Sequence, residues 1–181
     1  MAAFGVAGWH SQRVADRGPQ ERMPLLHRAS LVVFADYFQF YIANGGANWS
    51  APEDWSDDDL RNGGKVTESV VAIAPASNMD VPVEVEVFTE EQTIDLGSFD
   101  HAFSCSLRLE TGHLQLYECT GPERLFLSVS AGDYQVVVLF SDLKRIGEHG
   151  LAGKDSYKIA LWLGSPQDFK VLKQWTGDWR N

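Results

Sequence analysis

The sequence has few of the features that mark membrane, disulfide-rich or nucleic-acid-binding proteins. No apolar run approaches the ~20 residues that a membrane-spanning helix needs. Residues 1–20 lack the continuous apolar stretch of a signal peptide, because charged and polar side chains interrupt it. Only 15 Lys and Arg stand against 25 Asp and Glu, whereas binding to a phosphate backbone needs clustered cations. We therefore expect a cytoplasmic protein that binds neither membrane nor nucleic acid.

Cysteine is also scarce, since the chain has two, Cys105 and Cys119. They flank a predicted hairpin whose turn is Thr111-Gly112. A two-residue turn would place four leucines on one face: Leu107, Leu109, Leu114 and Leu116. Strand parity then puts Cys105 on the leucine face and Cys119 on the other, so we expect two reduced thiols.

Catalytic motifs are missing as well. The sequence contains no Walker loop, no Gly-x-Ser-x-Gly elbow and no Gly-x-Gly-x-x-Gly. Its five histidines do not stand at ligand spacing, and there is no Cys-x-x-Cys. We predict a protein that is not an enzyme and has no catalytic residues, metal or cofactor. A metal site assembled from distant residues and a hydrolase built on paired carboxylates stay open as alternatives.

The elements that are present predict a mainly β protein. Turn residues recur about every 8–12 positions between short alternating apolar segments, a spacing typical of a sandwich or barrel. We predict an antiparallel β-sandwich of about eight or nine strands over residues 29–181. Residues 1–28 show neither a strand nor a helix period, and we predict a flexible or loosely docked N-terminal arm there.

Three segments carry the clearest local signals. Alternating aromatic and β-branched residues predict one long strand over residues 30–42. The valines of residues 81–87 alternate with Glu84 and Glu86, which predicts a half-exposed strand with an acidic outer face. Ser56 is a favourable N-cap, and Gly63-Gly64 would stop a helix after about two turns, so one short helix is expected between them.

The net charge of −10 is unevenly distributed along the chain. Residues 53–100 contain thirteen acidic side chains and only Arg61 and Lys65 as cations, which leaves the remainder close to neutral. A surface of one sign attracts a partner of the opposite sign, so the segment predicts docking on a cationic protein. The alternative is that the acids only keep the protein soluble.

Two tryptophans stand beside the acidic run, and tryptophan is enriched among residues that dominate binding energy. The predicted partner-binding residues are Trp49, Trp55, Asp57, Asp58, Asp59, Glu84, Glu86, Glu90 and Glu91. The alternatives are that Trp49 and Trp55 cover the edge of the core, or that the chain is a small-molecule or carbohydrate-binding module. Such a module would use a concave aromatic site with Trp49, Trp55 or Trp179.

The order of several short motifs resembles the competence protein J family, whose members inhibit the DNA-entry nuclease. The motifs are Tyr37-Phe38-Gln39-Phe40, Asp54-Trp55-Ser56-Asp57 with Leu60 and Gly63, the Val81 to Val87 strand, Leu114–Tyr117, Gly132-Asp133-Tyr134-Gln135 and Asp155-Ser156-Tyr157-Lys158-Ile159. The resemblance spans residues 30–163. The chain departs from the family in its N-terminal arm, a longer loop at residues 143–155 and extra sequence from Gly164.

The resemblance implies a small β-sandwich that binds a nuclease and blocks it. A nuclease site is cationic because its substrate is anionic, so an acidic protein can imitate the charge of the substrate. The expected function is a non-enzymatic nuclease inhibitor or immunity-type protein. The contact residues named above come from the placement of charge and not from the resemblance.

Overall fold

A computed structural model of the chain describes residues 25–179 and contains eleven strands and one α-helix. The strands are β1 Leu25–Phe34, β2 Phe40–Asn44, β3 Gly64–Val66, β4 Val70–Ile73, β5 Asp80–Phe88, β6 His101–Leu109, β7 His113–Glu118, β8 Glu123–Ser128, β9 Gly132–Ser141, β10 Ser156–Leu163 and β11 Lys170–Lys173. The helix α1 spans Asp57–Arg61, and short 3-10 turns occupy Asp36–Phe38, Leu96–Ser98, Leu143–Arg145 and Glu148–Gly150. None of the helices within residues 25–179 is long and apolar enough to cross a membrane.

The strands form two sheets that enclose one main core. The six-stranded sheet has the order β1-β5-β10-β9-β6-β11, and the five-stranded sheet has the order β3-β4-β2-β7-β8. Neighbouring strands are antiparallel except for β5 and β10, which run parallel. The predicted β-sandwich is confirmed, with more strands than the eight or nine expected and with one parallel pair.

The core is filled by side chains at every second position of the central strands. Val81, Val83, Val85 and Val87 of β5 point inward and are buried, as their spacing predicts. They pack with Phe103 of β6 and Phe140 of β9, which are fully buried. Each such side chain contributes about 1.5–3 kcal/mol through its removal from water, so the alternation fixes the register of the central strands.

The long strand predicted over residues 30–42 is wrong, because two strands in different sheets occupy that segment. The chain crosses from β1 to β2 through Ala35–Gln39, where Tyr37 and Phe38 take left-handed backbone angles, with φ of 53° and 57°. The Asp36 carboxylate stabilises the crossover by accepting hydrogen bonds from the Tyr37 backbone at 3.0 Å and the Thr120 hydroxyl at 2.6 Å. Asp36, a polar residue at a position in phase with the apolar side chains of this segment, marks the change of sheet.

The predicted hairpin of β6 and β7 is also wrong. The strands lie in opposite sheets: β6 pairs with β9 and β11, and β7 pairs with β2 and β8. The four leucines still face one core, but they meet across the sandwich rather than along a ladder. Cys105 is buried with them, Cys119 lies on the outer face of the five-stranded sheet, and both thiols are free, as parity indicated.

The first strand begins inside the segment that the sequence assigned to the N-terminal arm. β1 starts at Leu25, and Arg28 already lies in register with Glu86 of β5. Residues 1–24, the rest of the predicted arm, lie outside the described residues.

Candidate functional site

The helix α1 begins with a complete capping box. The Ser56 hydroxyl accepts a hydrogen bond from the Asp59 backbone N–H at 3.1 Å, and the Ser56 backbone N–H donates to the Asp59 carboxylate at 2.9 Å. These bonds satisfy two backbone donors that a helix start leaves unpaired. The predicted N-cap is therefore confirmed, and a helix of only five residues is held in a defined orientation.

Exposed carboxylates surround this helix. Asp57 and Asp58 are exposed, as are the preceding Glu53 and Asp54. Asp58 pairs with Arg61 one turn along the helix at 2.7 Å, but its side chain stays 77% exposed. An ion pair so open to water contributes well under 1 kcal/mol, so it leaves the field of the carboxylates largely directed at solvent.

Asp59 has a different role from Asp57 and Asp58. Its carboxylate closes the capping box and pairs with Lys65 of β3 at 3.2 Å. Partial burial raises the pKa of Asp59, but the bonds from Ser56 and the charge of Lys65 outweigh burial and lower it below its ordinary value. Asp59 therefore positions the helix and fastens it to the sheet.

The two predicted tryptophans cover the outer face of the five-stranded sheet. Trp49 packs between Tyr41 and Tyr117, with ring centroids 5.8 and 5.1 Å apart. Trp55 donates its indole N–H to the Pro52 carbonyl at 3.0 Å and packs on the same face. Both side chains are half-buried, so each covers the sheet and also presents an edge to solvent beside α1.

A buried histidine anchors the other end of the helix. His101 accepts a hydrogen bond at Nδ1 from the Trp175 backbone N–H at 3.2 Å, so its Nε2 carries the proton and donates to the Asn62 carbonyl at 2.9 Å. Burial lowers the pKa of His101, which keeps the ring neutral at physiological pH. The ring also stacks edge-on against Trp179. Through His101 the helix is tied to β6 and to the C-terminal segment.

The sequence contains a signal for this anchor in the alternation of β6. His101 shares the parity of Phe103, Cys105 and Leu107, all of which face the core. A histidine in phase with an apolar strand face indicates a buried, hydrogen-bonded ring. Its partners lie 39 and 74 residues away, so they could not be read from local spacing.

Glu84 and Glu86 lie elsewhere, on the outer face of the six-stranded sheet, and their charges are compensated. Lys158 of β10 contacts Glu84 at 3.0 Å and Glu86 at 2.7 Å. Arg28 of β1 donates to Glu86 from Nε at 2.7 Å and also from Nη2. The Glu86 side chain is only 2% exposed. The acidic outer face predicted for β5 is thus an ion-pair network, and Glu86 is not available to a partner.

This network shifts the pKa values of its members. Burial raises the pKa of Glu86, but bonds from Lys158 and Arg28 outweigh burial and lower it below its ordinary value. Burial lowers the pKa of Lys158, yet Glu86 and Glu84 raise it overall. Both groups are therefore charged near neutral pH, and they stabilise each other.

Glu90 and Glu91 lie at the opposite end of the sandwich from α1. β5 and β6 run in the same direction, because β9 is antiparallel to β6 and β10, and β10 is parallel to β5. Both glutamates follow the end of β5 and are exposed, whereas Asn62 of the α1 cap contacts the start of β6. The predicted contact residues thus fall into three places, of which only the first combines acids with tryptophan.

We call that first place the α1 surface, defined as Trp49, Trp55, Asp57 and Asp58. Within residues 25–179, no group of three His, Cys, Asp or Glu side chains could hold a metal ion. Trp179, the third tryptophan considered for a concave site, contacts His101 and Phe140 edge to face, with ring centroids 5.0 and 5.7 Å apart. What the α1 surface offers is exposed negative charge on a capped, anchored helix beside two half-exposed indoles.

Comparison with known proteins shows which solved structures have a similar fold. No family model matches the sequence, and no curated protein matches it. The crystal structure of ComJ from Bacillus subtilis, inhibitor of the DNA-degrading activity of NucA, superimposes with a TM-score of 0.60 over 77% of this chain and 97% of ComJ. The chain shares the ComJ fold.

The sequence identity to ComJ is 13%, so the likeness lies in the architecture. A second structure, described as crocagin biosynthetic gene J, has a TM-score of 0.54 and 17% identity over 77% of this chain and 98% of its own. The resemblance stated from the sequence is therefore confirmed as a remote one.

Proposed function

We propose that this chain is a non-enzymatic inhibitor or immunity-type protein that docks on a cationic partner, a nuclease, through the α1 surface. The observation that carries the proposal is the fold shared with ComJ, an inhibitor of a nuclease. The exposed acids of α1 supply the physical means, because a DNA-degrading enzyme must present cations to its anionic substrate.

Charge would act mainly on the rate of encounter. The segment 53–65 carries five carboxylates against Arg61 and Lys65, and Asp57 and Asp58 are exposed to solvent. Complementary surface charge raises association rates by about 10- to 1000-fold at low salt, and added salt screens the effect. We therefore assign Asp57 and Asp58 to steering of the partner.

The indoles would supply the contact that charge cannot. Trp49 and Trp55 are held by packing on the five-stranded sheet, so little side-chain entropy is lost when a partner covers their exposed edges. The capping box and the His101 anchor hold α1 in place before the encounter. A preformed surface of this kind loses less free energy to ordering than a mobile loop would.

The remaining predicted residues are not assigned to the contact with the nuclease. Asp59 positions α1, and Glu86 with Glu84 stabilises the six-stranded sheet. Glu90 and Glu91 lie at the far end and are assigned no contact with the nuclease.

The experiment is capture of the partner by the purified protein. The protein is immobilised and exposed to lysate of its native cells at low salt, then eluted with a salt step, and the eluate is assayed for degradation of DNA. We expect a basic protein with DNA-degrading activity, which free inhibitor suppresses again when it is added back. An eluate without such activity, or an activity that the added protein does not suppress, would contradict the proposal.

The second candidate, a module with a concave aromatic site at Trp49, Trp55 or Trp179, is less favoured. Trp49 lies over the sheet between two tyrosines, and Trp179 packs against His101 and Phe140. These rings cover protein surface rather than line an open cleft.

A further inference from the structure

The outer face of the five-stranded sheet carries a row of aromatic side chains that continues the α1 surface toward β8. Trp49 lies over Tyr117 of β7, with ring centroids 5.1 Å apart. The Tyr117 hydroxyl donates a hydrogen bond at 2.6 Å to Oε1 of Gln115, which lies directly across from Phe126 of β8. Because residues two apart on a strand and residues paired across strands share one side of a sheet, Phe126 belongs to the same face.

Phe126 is the most exposed member of this row. Its side chain is 48% exposed, whereas Trp49 and Tyr117 are half-buried. One side of the ring packs against His113, with ring centroids 4.9 Å apart. A single exposed aromatic ring is ordinary on a protein surface, but a ring that continues an aromatic row is typical of an interaction surface.

The charges at the margins of this face are acidic or already paired. The α1 acids lie at one margin, and Glu123 of β8 is exposed at the other, where it accepts a hydrogen bond from Gln115. The strands of this sheet contain two cations, Lys65 and Arg124, and each contacts an acidic side chain, at 3.2 and 3.4 Å. An aromatic centre between acidic margins is complementary to a protein that surrounds an apolar patch with cations.

The α1 surface alone is too small for a specific protein interface. A helix of five residues is about 7.5 Å long, whereas a specific interface buries roughly 800 Å² on each partner. The four strand spacings from β3 to β8 extend the surface by about 19 Å. On its other side α1 contacts Gln174, just after β11, whose charged residues are Lys170 and Lys173. Those cations would repel a cationic partner, so both size and charge favour the five-stranded sheet.

We propose that the cationic nuclease covers the outer face of the five-stranded sheet as far as Phe126, with Trp49, Tyr117 and Phe126 as its aromatic contacts. The inference rests on the proposed function and adds to it the extent of the contact surface. The acids of α1 and Glu123 border these rings and act on the rate of association. The rings supply the contact area that loses water in the complex, so they act on the rate of dissociation.

The test compares Phe126→Ala with Phe34→Ala in complexes with the captured nuclease. Phe34 is the matched control, because it is the same residue type with 42% exposure but lies on the outer face of the six-stranded sheet. We expect Phe126→Ala to dissociate about tenfold faster than the unchanged protein, with nearly the same association rate. Phe34→Ala should dissociate like the unchanged protein. Urea unfolding checks that both variants are folded.

Hydroxyl-radical labelling of the unchanged protein tests the same surface without a substitution. The oxidation of Phe126 and Tyr117, measured by mass spectrometry, should fall when the nuclease is bound. The oxidation of Phe34 should stay the same. This measurement decides the question even if Phe126→Ala folds poorly.

Equal dissociation rates of the two folded variants, or unchanged oxidation of Phe126 in the complex, would overturn the inference. The proposed function would survive either result, because capture and inhibition of a DNA-degrading protein are measured without any change at Phe126. Failure to capture such a protein would instead overturn the proposed function, and this inference with it.

Discussion

The aspartates of α1 and the glutamates of β5 carry the same charge but lie in opposite environments. Asp57 and Asp58 lie on a helix over the edge of the molecule and are exposed. Glu86 lies on a central strand, is 2% exposed, and is bonded by Arg28 and Lys158. The α1 carboxylates are directed at solvent, whereas the Glu86 carboxylate forms ion pairs within the protein. The number of acidic residues in a segment therefore does not indicate how acidic its surface is.

The difference follows from the position of each element in the sheets. β5 is flanked by β1 and β10, and each neighbour supplies a cation to Glu86: Arg28 lies directly across on β1, and Lys158 of β10, which is in register with Glu84, also reaches Glu86. α1 has a strand beneath it but no strand on its outer side, and its nearby cations are Arg61 and Lys65. A carboxylate therefore stabilises the fold on β5, whereas on α1 it stays exposed to solvent.

The largest expected effect is that of Glu86→Ala. The change leaves Lys158 with a weaker partner in a partly buried site, and we expect the free energy of unfolding to fall by about 3 kcal/mol. Urea unfolding followed by circular dichroism measures it. The matched control is Glu90→Ala, an exposed glutamate four residues along the chain, which should change the free energy by less than about 0.5 kcal/mol. Equal effects of the two changes would refute the description of the network.

A smaller, pH-dependent effect is expected for Glu86→Gln. Glutamine keeps an acceptor but not the charge, so the loss at neutral pH should be about 1.5 kcal/mol. The pKa of Glu86 in the folded chain lies below its ordinary value of 4.5. Its charge thus stabilises the fold fully above pH 4.5, and this contribution is lost as the pH falls through the folded pKa.

Unfolding of both proteins between pH 7 and pH 2.5 checks this expectation. The stability curves of the unchanged protein and of Glu86→Gln should converge in acid. Curves that stay parallel over the whole range would mean that the Glu86 charge does not stabilise the folded chain.

The capping box should have a still smaller effect on stability but a visible effect on α1. Ser56→Ala removes the cap, which costs about 1 kcal/mol and loosens the first turn of the helix. Amide hydrogen exchange at Asp59 and Leu60 measures the loosening. Ser98→Ala, at an exposed serine of the 3-10 turn Leu96–Ser98, serves as the control and should leave hydrogen exchange in α1 unchanged. Exchange in α1 that does not rise in Ser56→Ala would contradict the role of the cap.

The smallest effect on stability is expected for Asp58→Ala. The ion pair of Asp58 with Arg61 is exposed, so its loss should cost less than about 0.5 kcal/mol. Thermal unfolding measures this value, and a cost above 1 kcal/mol would show that Asp58 stabilises the fold. Asp58 is therefore a residue whose substitution tests binding without loss of structure.

Sequence reasoning succeeded where the physical cause is local. The Ser56 cap and the glycine stop are properties of a few neighbouring residues, and both appear as expected. The alternation of Val81 to Val87 gave the inward face of β5 correctly, because a strand must bury every second residue.

Sequence reasoning failed where the structure depends on which of the two sheets a strand joins. The turn Thr111-Gly112 predicted a hairpin, but the chain there passes from one sheet to the other while the same leucines remain buried. Residue parity fixes the face of a strand but does not identify its neighbours. The cations on Glu86 and the partners of His101 are likewise far away in sequence, so the acidic face of β5 and the anchor of α1 could not be inferred correctly.

The most direct test of the account compares two double charge reversals at opposite ends of the sandwich. Asp57→Lys with Asp58→Lys and Glu90→Lys with Glu91→Lys change the net charge equally, and all four positions are exposed. Association rates with the captured nuclease are measured at low and high salt. We predict that the first variant loses about tenfold or more in rate at low salt and that the second stays close to the unchanged protein. Equal losses in both variants, or a rate that does not respond to salt, would contradict docking through the α1 surface.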